Sequence, residues 1–275
     1  MMEEPKHIFS NRDLYKLLIP VMAEQFLNSL MGTADSIMVS NVGPAAISAV
    51  SLVDSMNMLI IQAFSALATG GVIVCANFIG QQKPEQARNS AKQLSLVALV
   101  LSIGIMLLSM WFRTPLLHLV FGKVDAEVMK AASTYFFYTI LSFPAIAMYN
   151  AGAAIYQAQR NTKLPMLIAV YSNALNIAGN GWLIWGMHMG VAGSAIATLV
   201  SRIVSAVAVY AFLHREGQEI SIRNYAATRP DLHRIRTILA LGIPNGVETA
   251  MFQFGKLAIQ STISTLGTVA MAAQA

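Results

Sequence analysis

The sequence predicts an all-α membrane protein, a six-helix lobe followed by a seventh helix and the start of an eighth. Three observations predict it. Of 275 residues, 11% are charged and 56% apolar, with mean hydropathy +0.57, whereas soluble domains carry about 25% charged residues. Short polar links separate apolar runs, each about the 20 residues that cross a bilayer as a helix. Residues 17–51 also reappear at 241–275, matching at Leu17/Leu241, Ile19/Ile243, Pro20/Pro244, Glu24/Glu248, Ala34/Ala258, Ser40/Ser264, Gly43/Gly267, Ala46/Ala270 and Ala49/Ala273.

In order, the spans are read at 14–41, 46–78, 94–112, 131–156, 166–187, 191–213 and 237–265, with an eighth starting near 268. The first run is too long for a signal core and lacks a small-residue cleavage site, so it reads as an uncleaved anchor. Pro20 and Pro144 each remove a backbone donor and predict kinks in the first and fourth spans. Gly70-Gly71 predicts a loosened second span, and Gly186 and Gly190 a close contact where the fifth meets the sixth. Cys75, the single cysteine, rules out an intrachain disulfide or a cysteine metal site and reads as packing. Strands are excluded, because an open sheet cannot satisfy its backbone in lipid and no barrel alternation is present.

The basic residues orient the chain. With the N-terminus inside, the cytoplasmic side holds thirteen: Lys6, Arg12, Lys16, Lys83, Arg88, Lys92, Arg160, Lys163, Arg215, Arg223, Arg229, Arg234 and Arg236. The outer side holds three, Arg113, Lys123 and Lys130. This bias predicts a multi-pass protein of a prokaryotic cytoplasmic (inner) membrane. It also accounts for the isoelectric point near 9.4 without any nucleic-acid partner. Every loop charge is read as part of a solvated basic surface.

An even number of helices separates the two repeat copies, so both start on the cytoplasmic side. Parallel repeats of this kind build transporters, with the substrate path between the copies. The organisation expected is residues 1–13 as cytoplasmic N-terminus, 14–213 as the six-helix lobe, 214–236 as a cytoplasmic inter-lobe linker and 237–275 as the first part of a truncated second lobe. A complete two-lobe machine of twelve helices would extend beyond Ala275.

Six ionisable residues fall inside spans: Glu24, Asp35, Asp54, Arg202, Glu248 and Lys256. Each costs about 2.5–3.5 kcal/mol at mid-bilayer on insertion scales, so each is expected to face protein or water. Asp54 lies nearest a span end and reads as a cap or interface residue. Glu24, Asn28 and Asp35 share one helical face at i, i+4 and i+11, and Asn173, Asn176 and Asn180 form a stripe at i, i+3 and i+7. Thr198 sits on the sixth helix. Carboxylate, amide and hydroxyl oxygens converging in a dry cavity bind a small hard cation, or hold a carboxyl that carries a proton. Asn173 reads instead as an interhelical hydrogen bond.

These residues resemble a known family. Ile19-Pro20, Thr33-Ala-Asp-Ser-Ile-Met-Val39 and Gly43-Pro-Ala-Ala-Ile-Ser-Ala-Val50 look like helix one and the following turn of the multidrug and toxic compound extrusion (MATE) transporters. Asn161-Thr-Lys-Leu-Pro165, Asn176 and Gly193-Ser-Ala-Ile-Ala-Thr198 resemble the family's later segments. The resemblance covers nearly the whole chain. It implies two six-helix lobes, drug export driven by inward Na+ or H+, and a cation or proton site at Asp35, Asn176, Asn180 and Thr198. Many relatives have aspartate where this chain has Asn180, which shifts weight onto Asp35. The glycines usual before Asn161 are replaced by Gln157-Ala-Gln-Arg160, and Ile259 stands where the second copy would repeat Asp35.

The expectation is therefore a cation-coupled antiporter exporting amphiphilic, cationic small molecules, and not an enzyme. Pro20, Glu24, Asn28, Arg202, Glu248 and Lys256 are cavity or coupling candidates. No cofactor is expected beyond the coupling ion, H+ or Na+ (Na+ at Asp35), and no other metal. The partners expected are the small-molecule substrate and the lipid bilayer, with a monomer as the full-length state. Two alternatives stay open: a flippase for a lipid-linked precursor, whose cavity should carry several basic residues, and an inactive or half-transporter fragment.

Overall fold

The computed structural model describes residues 11–121, 125–214, 220 and 230–264. Among these the chain forms α1 (Asn11–Ser40), α2 (Pro44–Gly80), α3 (Pro84–Trp111), α4 (Arg113–Phe121), α5 (Ala126–Leu141), α6 (Phe143–Ala158), α7 (Lys163–Asn180), α8 (Gly190–Leu213) and α9 (Leu232–Ser264). The eighth span expected near 268 lies outside the described residues, as do residues 1–10 and most of the linker.

Helices α2, α3 and α8 are each long and apolar enough to cross a membrane. Helices α5 and α6 together make one broken span, bent by 43°. Helices α1 and α9 are as long, at 30 and 33 residues, but they carry the charged residues singled out above, and α7 carries the asparagine stripe. Large apolar side chains face outward along α3, where Val100, Leu107 and Leu108 are each about 60% exposed and Trp111 84%. A water-facing helix would not present such a stripe; in lipid it is the expected face.

Proline and glycine set the helix starts. Pro44 and Pro84 open α2 and α3, where a missing N–H leaves no intrahelical bond unmade. The expected kink at Pro144 is seen as a break at Ser142, with Pro144 in the first turn of α6. Pro20 behaves differently, since α1 runs on through it without interruption. After Asn180 the fifth span widens into a π-helical turn, Gly181–Gly186, and His188 (φ 54°) and Gly190 (φ 57°) then reverse the chain into α8. Nothing in the sequence marked that turn, nor the nine-residue α4.

Gly70 and Gly71 do not loosen α2, which is unbroken from Pro44 to Gly80. They are close-approach points. A Cβ on Gly70 would lie 2.3 Å from Ile238 O and 2.8 Å from Gly242 N of α9, and one on Gly71 would meet the Leu94 side chain of α3. Gly242 in turn lies against Ala66 O, and Gly246 against Ala66 Cβ. Small residues four apart on both helices thus let α2 and α9 touch backbone to backbone.

The core forms where α2 packs on α3, α5, α6 and α9, with α8 against α5 and α6. Tyr156, Phe136, Phe143 and Leu94 are fully buried there. Helix α1 packs mainly on α7 and enters that core through Met38 and Val39. Cys75 is fully buried beside Ala87 O.

Two loop charges depart from the solvated reading: Arg113 lies 5.4 Å above the Phe137 ring, and Arg234 is held more fully. Arg234 pairs with Asp231 (Nε to Oδ2, 2.9 Å), donates to Gln86 O and Ser90 Oγ on α3, and lies 5.6 Å above the Phe78 ring of α2. The Arg234 backbone N–H and then its side chain hold the Asp231 carboxyl below its ordinary range. The start of α9 is thereby tied to the ends of α2 and α3.

Candidate functional site

Helix α1 crosses the face of α7 that carries the asparagine stripe, and the two meet at Asp35. This carboxylate is 5% exposed. Its Oδ1 accepts a short hydrogen bond from Asn180 Nδ2. The Asn180 amide also lies 3.3 Å from Asn176 Oδ1, and Asn176 Nδ2 donates to Thr198 Oγ1 of α8 at 3.2 Å. The four residues named for a cation site therefore form one chain across three helices. Asn176, Asn180 and Thr198 are buried with Asp35, and Asn180 Oδ1 is buried without a hydrogen-bond partner. An unsatisfied buried acceptor is costly, and a hard cation or a carboxyl proton supplies what it lacks.

Asp35 stands between that cluster and a cavity of about 460 Å³, lined by α1, α2, α5, α6, α7 and α8. Asp35 and Thr198 reach the cavity, while Asn176 and Asn180 lie behind them. Asn28 also lines it, alongside Gln25, Gln62 and Asn150 and apolar groups such as Met31, Met58 and Ile61. An apolar wall with a few placed polar groups is the usual form of a small-molecule site.

Other candidates make different contacts. Glu24 is buried but does not line the cavity; its Oε1 accepts from the Tyr149 hydroxyl at 2.7 Å, so it ties α1 to α6. Pro20 is buried within α1. Asn173 donates to Leu27 O at 3.0 Å, the interhelical role read from its position. Glu248 is exposed on α9, away from the cavity, and the Lys256 side chain lies outside the described residues.

The structure adds Asp54, Tyr135 and Ser142 to the site and puts Arg202, a cavity candidate from the sequence, on the cavity wall. Asp54 is the eleventh residue of α2 and lines the cavity, where Tyr135 donates to its Oδ1 at 3.2 Å. It is not a helix cap. Arg202 lines the same wall and donates from Nη1 to Ser142 Oγ at 2.7 Å, at the break between α5 and α6. Tyr135 and Ser142 carry no periodic signal, and only the fold brings them beside Asp54 and Arg202.

A helical bundle around a cavity with a buried carboxylate at its wall fits a membrane transporter. The MatE family model matches residues 20–182, so the chain belongs to the MatE family. It is 27% identical over 263 residues to the uncharacterised transporter YisQ of Bacillus subtilis, covering 94% of this chain and 57% of that protein. Against the probable multidrug resistance protein NorM of Thermotoga maritima it is 26% identical over 266 residues, covering 95% and 56%. A crystal structure of MATE in the bent conformation superposes with a TM-score of 0.87 at 25% identity, covering 95% of this chain and 58% of that one. An outward-facing multidrug resistance MATE transporter gives 0.85 at 25% identity, covering 93% and 56%. The chain thus spans a little over half the length of the relatives it matches.

Among the described residues no three His, Cys, Asp or Glu side chains cluster as metal ligands do. One carboxylate, two amides and a hydroxyl suit a hard monovalent cation or a proton better than a transition metal.

Proposed function

We propose that this chain forms the cation-binding lobe of an antiporter that exports amphiphilic cationic small molecules, driven by inward H+ or Na+ and residing in the inner membrane with its N-terminus in the cytoplasm. The observation that carries this reading is Asp35, buried between the cavity and the Asn180–Asn176–Thr198 chain.

The chemistry follows from hydrogen-bond direction. An ionised carboxylate only accepts, which matches the Asn180 amide N–H now donating to it. A protonated Asp35 donates instead, and Asn180 Oδ1, the atom without a partner, is the acceptor at hand once the amide turns over. A sodium ion would draw the same oxygen inward together with Thr198 Oγ1. Either ion neutralises the wall of the cavity and weakens its hold on a cationic substrate, while re-forming the α1–α7 contact. Ion and substrate therefore compete, as antiport requires. Asn180 needs no charge of its own in this scheme.

Energetically, one charge moving inward at 100 mV supplies about 2.3 kcal/mol, and a tenfold ion gradient adds about 1.4 kcal/mol. For a monovalent cation leaving one-for-one the charge contribution cancels, so the ion gradient alone sustains about a tenfold substrate gradient. Arg202 is the single basic group lining the cavity among the described residues, too few for the pyrophosphate that a precursor flippase would bind.

The test is dye efflux from proteoliposomes of the full-length protein, with Na+ and pH gradients imposed separately. Rhodamine B ethyl ester, an amphiphilic cation, should leave against its gradient only while the coupling gradient stands, and a matching ionophore should stop it. Efflux that ignores both gradients would remove the antiport reading.

A further inference from the structure

The cavity has a second polar wall that the Asp35 cluster does not use. Arg202 lies one turn beyond Thr198 on α8 and lines the cavity with Asp54, Asn57 and Tyr135. Its guanidinium carries five N–H donors and spends one on Ser142 Oγ. Asp35 and Asp54 both lie within its electrostatic reach, yet among the described residues it forms a salt bridge with neither. Asp54 is held by the Tyr135 hydroxyl, and the Asn57 side chain, 2% exposed, has an oxygen without a partner. Here a positive group on α8 and a negative group on α2 line one cavity within electrostatic reach of each other.

Summed over the cavity, two carboxylates and one guanidinium leave one negative charge. Asp35 accounts for it when Asp54 and Arg202 offset each other. A purely cationic substrate meets Asp35 favourably but is repelled at Arg202. A molecule with adjacent opposite charges matches the Asp54–Arg202 wall at both ends, and a carboxylate fits the planar fork of a single guanidinium.

We propose that Arg202 and Asp54 form a second subsite that takes the charged ends of an amphiphilic zwitterion, its carboxylate on Arg202 and its cationic group toward Asp54. Arg202 is then a specificity-determining residue. The proposal rests on the efflux reading for its place in transport, but binding tests it independently.

Rhodamine B carries a free carboxylate on the same cationic ring system whose ethyl ester lacks it. Binding of each dye to the purified full-length protein is measured by fluorescence anisotropy in wild type, Arg202→Met and Arg202→Lys. Wild type should hold rhodamine B more tightly than its ester. Arg202→Met should weaken rhodamine B by about tenfold, the scale of one charge-assisted hydrogen bond, while ester binding holds steady or improves. Arg202→Lys should recover part of the loss, which an unfolded variant could not do. An unchanged ratio between the dyes in Arg202→Met, or failure of wild type to bind rhodamine B, would overturn the subsite. If discrimination follows Arg202 but neither dye moves with an ion gradient, the subsite stands and the efflux reading falls.

Discussion

Replacing Asp35 by asparagine should abolish concentrative efflux while leaving the protein folded. The substitution keeps the shape of the side chain and can keep a hydrogen bond to Asn180, so packing between α1 and α7 is preserved. What it removes is the one buried carboxylate facing both the cavity and the amide chain. Without it no ion can be exchanged for substrate, and the accumulation ratio should fall from about ten, under a tenfold ion gradient, to about one. Thermal stability should hold or rise, because a buried charge is expensive to keep in a membrane. Proteoliposome efflux and a melting curve on the same preparation check both halves. Retention of gradient-driven efflux in Asp35→Asn would mean that the coupling group lies elsewhere, with Glu24 or Asp54 the next to test.

The second large effect concerns the fold. Gly70→Ala should destabilise the protein by about 2–3 kcal/mol and Gly70→Val by more, because the new Cβ meets backbone and cannot be accommodated by a rotamer change. Its neighbours would be Ile238 O at 2.3 Å and Gly242 N at 2.8 Å, so α9 must move off α2. The melting temperature should fall by roughly 5–10 °C. Gly104→Ala is the control: it also lies within a long helix, but no atom lies within 4 Å of its added Cβ. That change should be neutral or slightly stabilising, since alanine favours helix over glycine by about 0.5–1 kcal/mol. Equal melting temperatures for wild type and Gly70→Ala would show that the α2–α9 contact is looser than described.

Much of this was legible in the chain because bilayer physics writes strong signals. Segment lengths and hydropathy located the spans to within a few residues at most ends; the clear exception is α3, which starts ten residues early at Pro84 because its first turns are polar. Spacing alone put Asn173, Asn176 and Asn180 on one face, and all three are buried. That this stripe faces Asp35 and Thr198 is a fact about three helices, and the family resemblance, not spacing, suggested it. Spacing likewise placed Glu24 on the face of Asp35, but it could not show Tyr149 claiming Glu24 from another helix.

The misreadings share a cause. Glycine lowers helix propensity, so Gly70-Gly71 reads in sequence as a weakness in α2, whereas in the fold the absent side chains admit α9 and Leu94. Asp54 looked like a cap because sequence measures distance from a span end and not from a cavity. Arg234 looked like one more loop cation because its partners, Gln86 and Ser90, lie more than 140 residues away.

The central claim is that Asp35 holds the coupling cation in competition with the substrate. It is tested most directly by ion release, with no transport step involved. Full-length protein in weak buffer is titrated with rhodamine B ethyl ester while a pH indicator and a sodium electrode follow the solution. Wild type should release close to one H+ or one Na+ per dye bound, and Asp35→Asn none. Equal release from both proteins, or dye binding with no release from wild type, would contradict it.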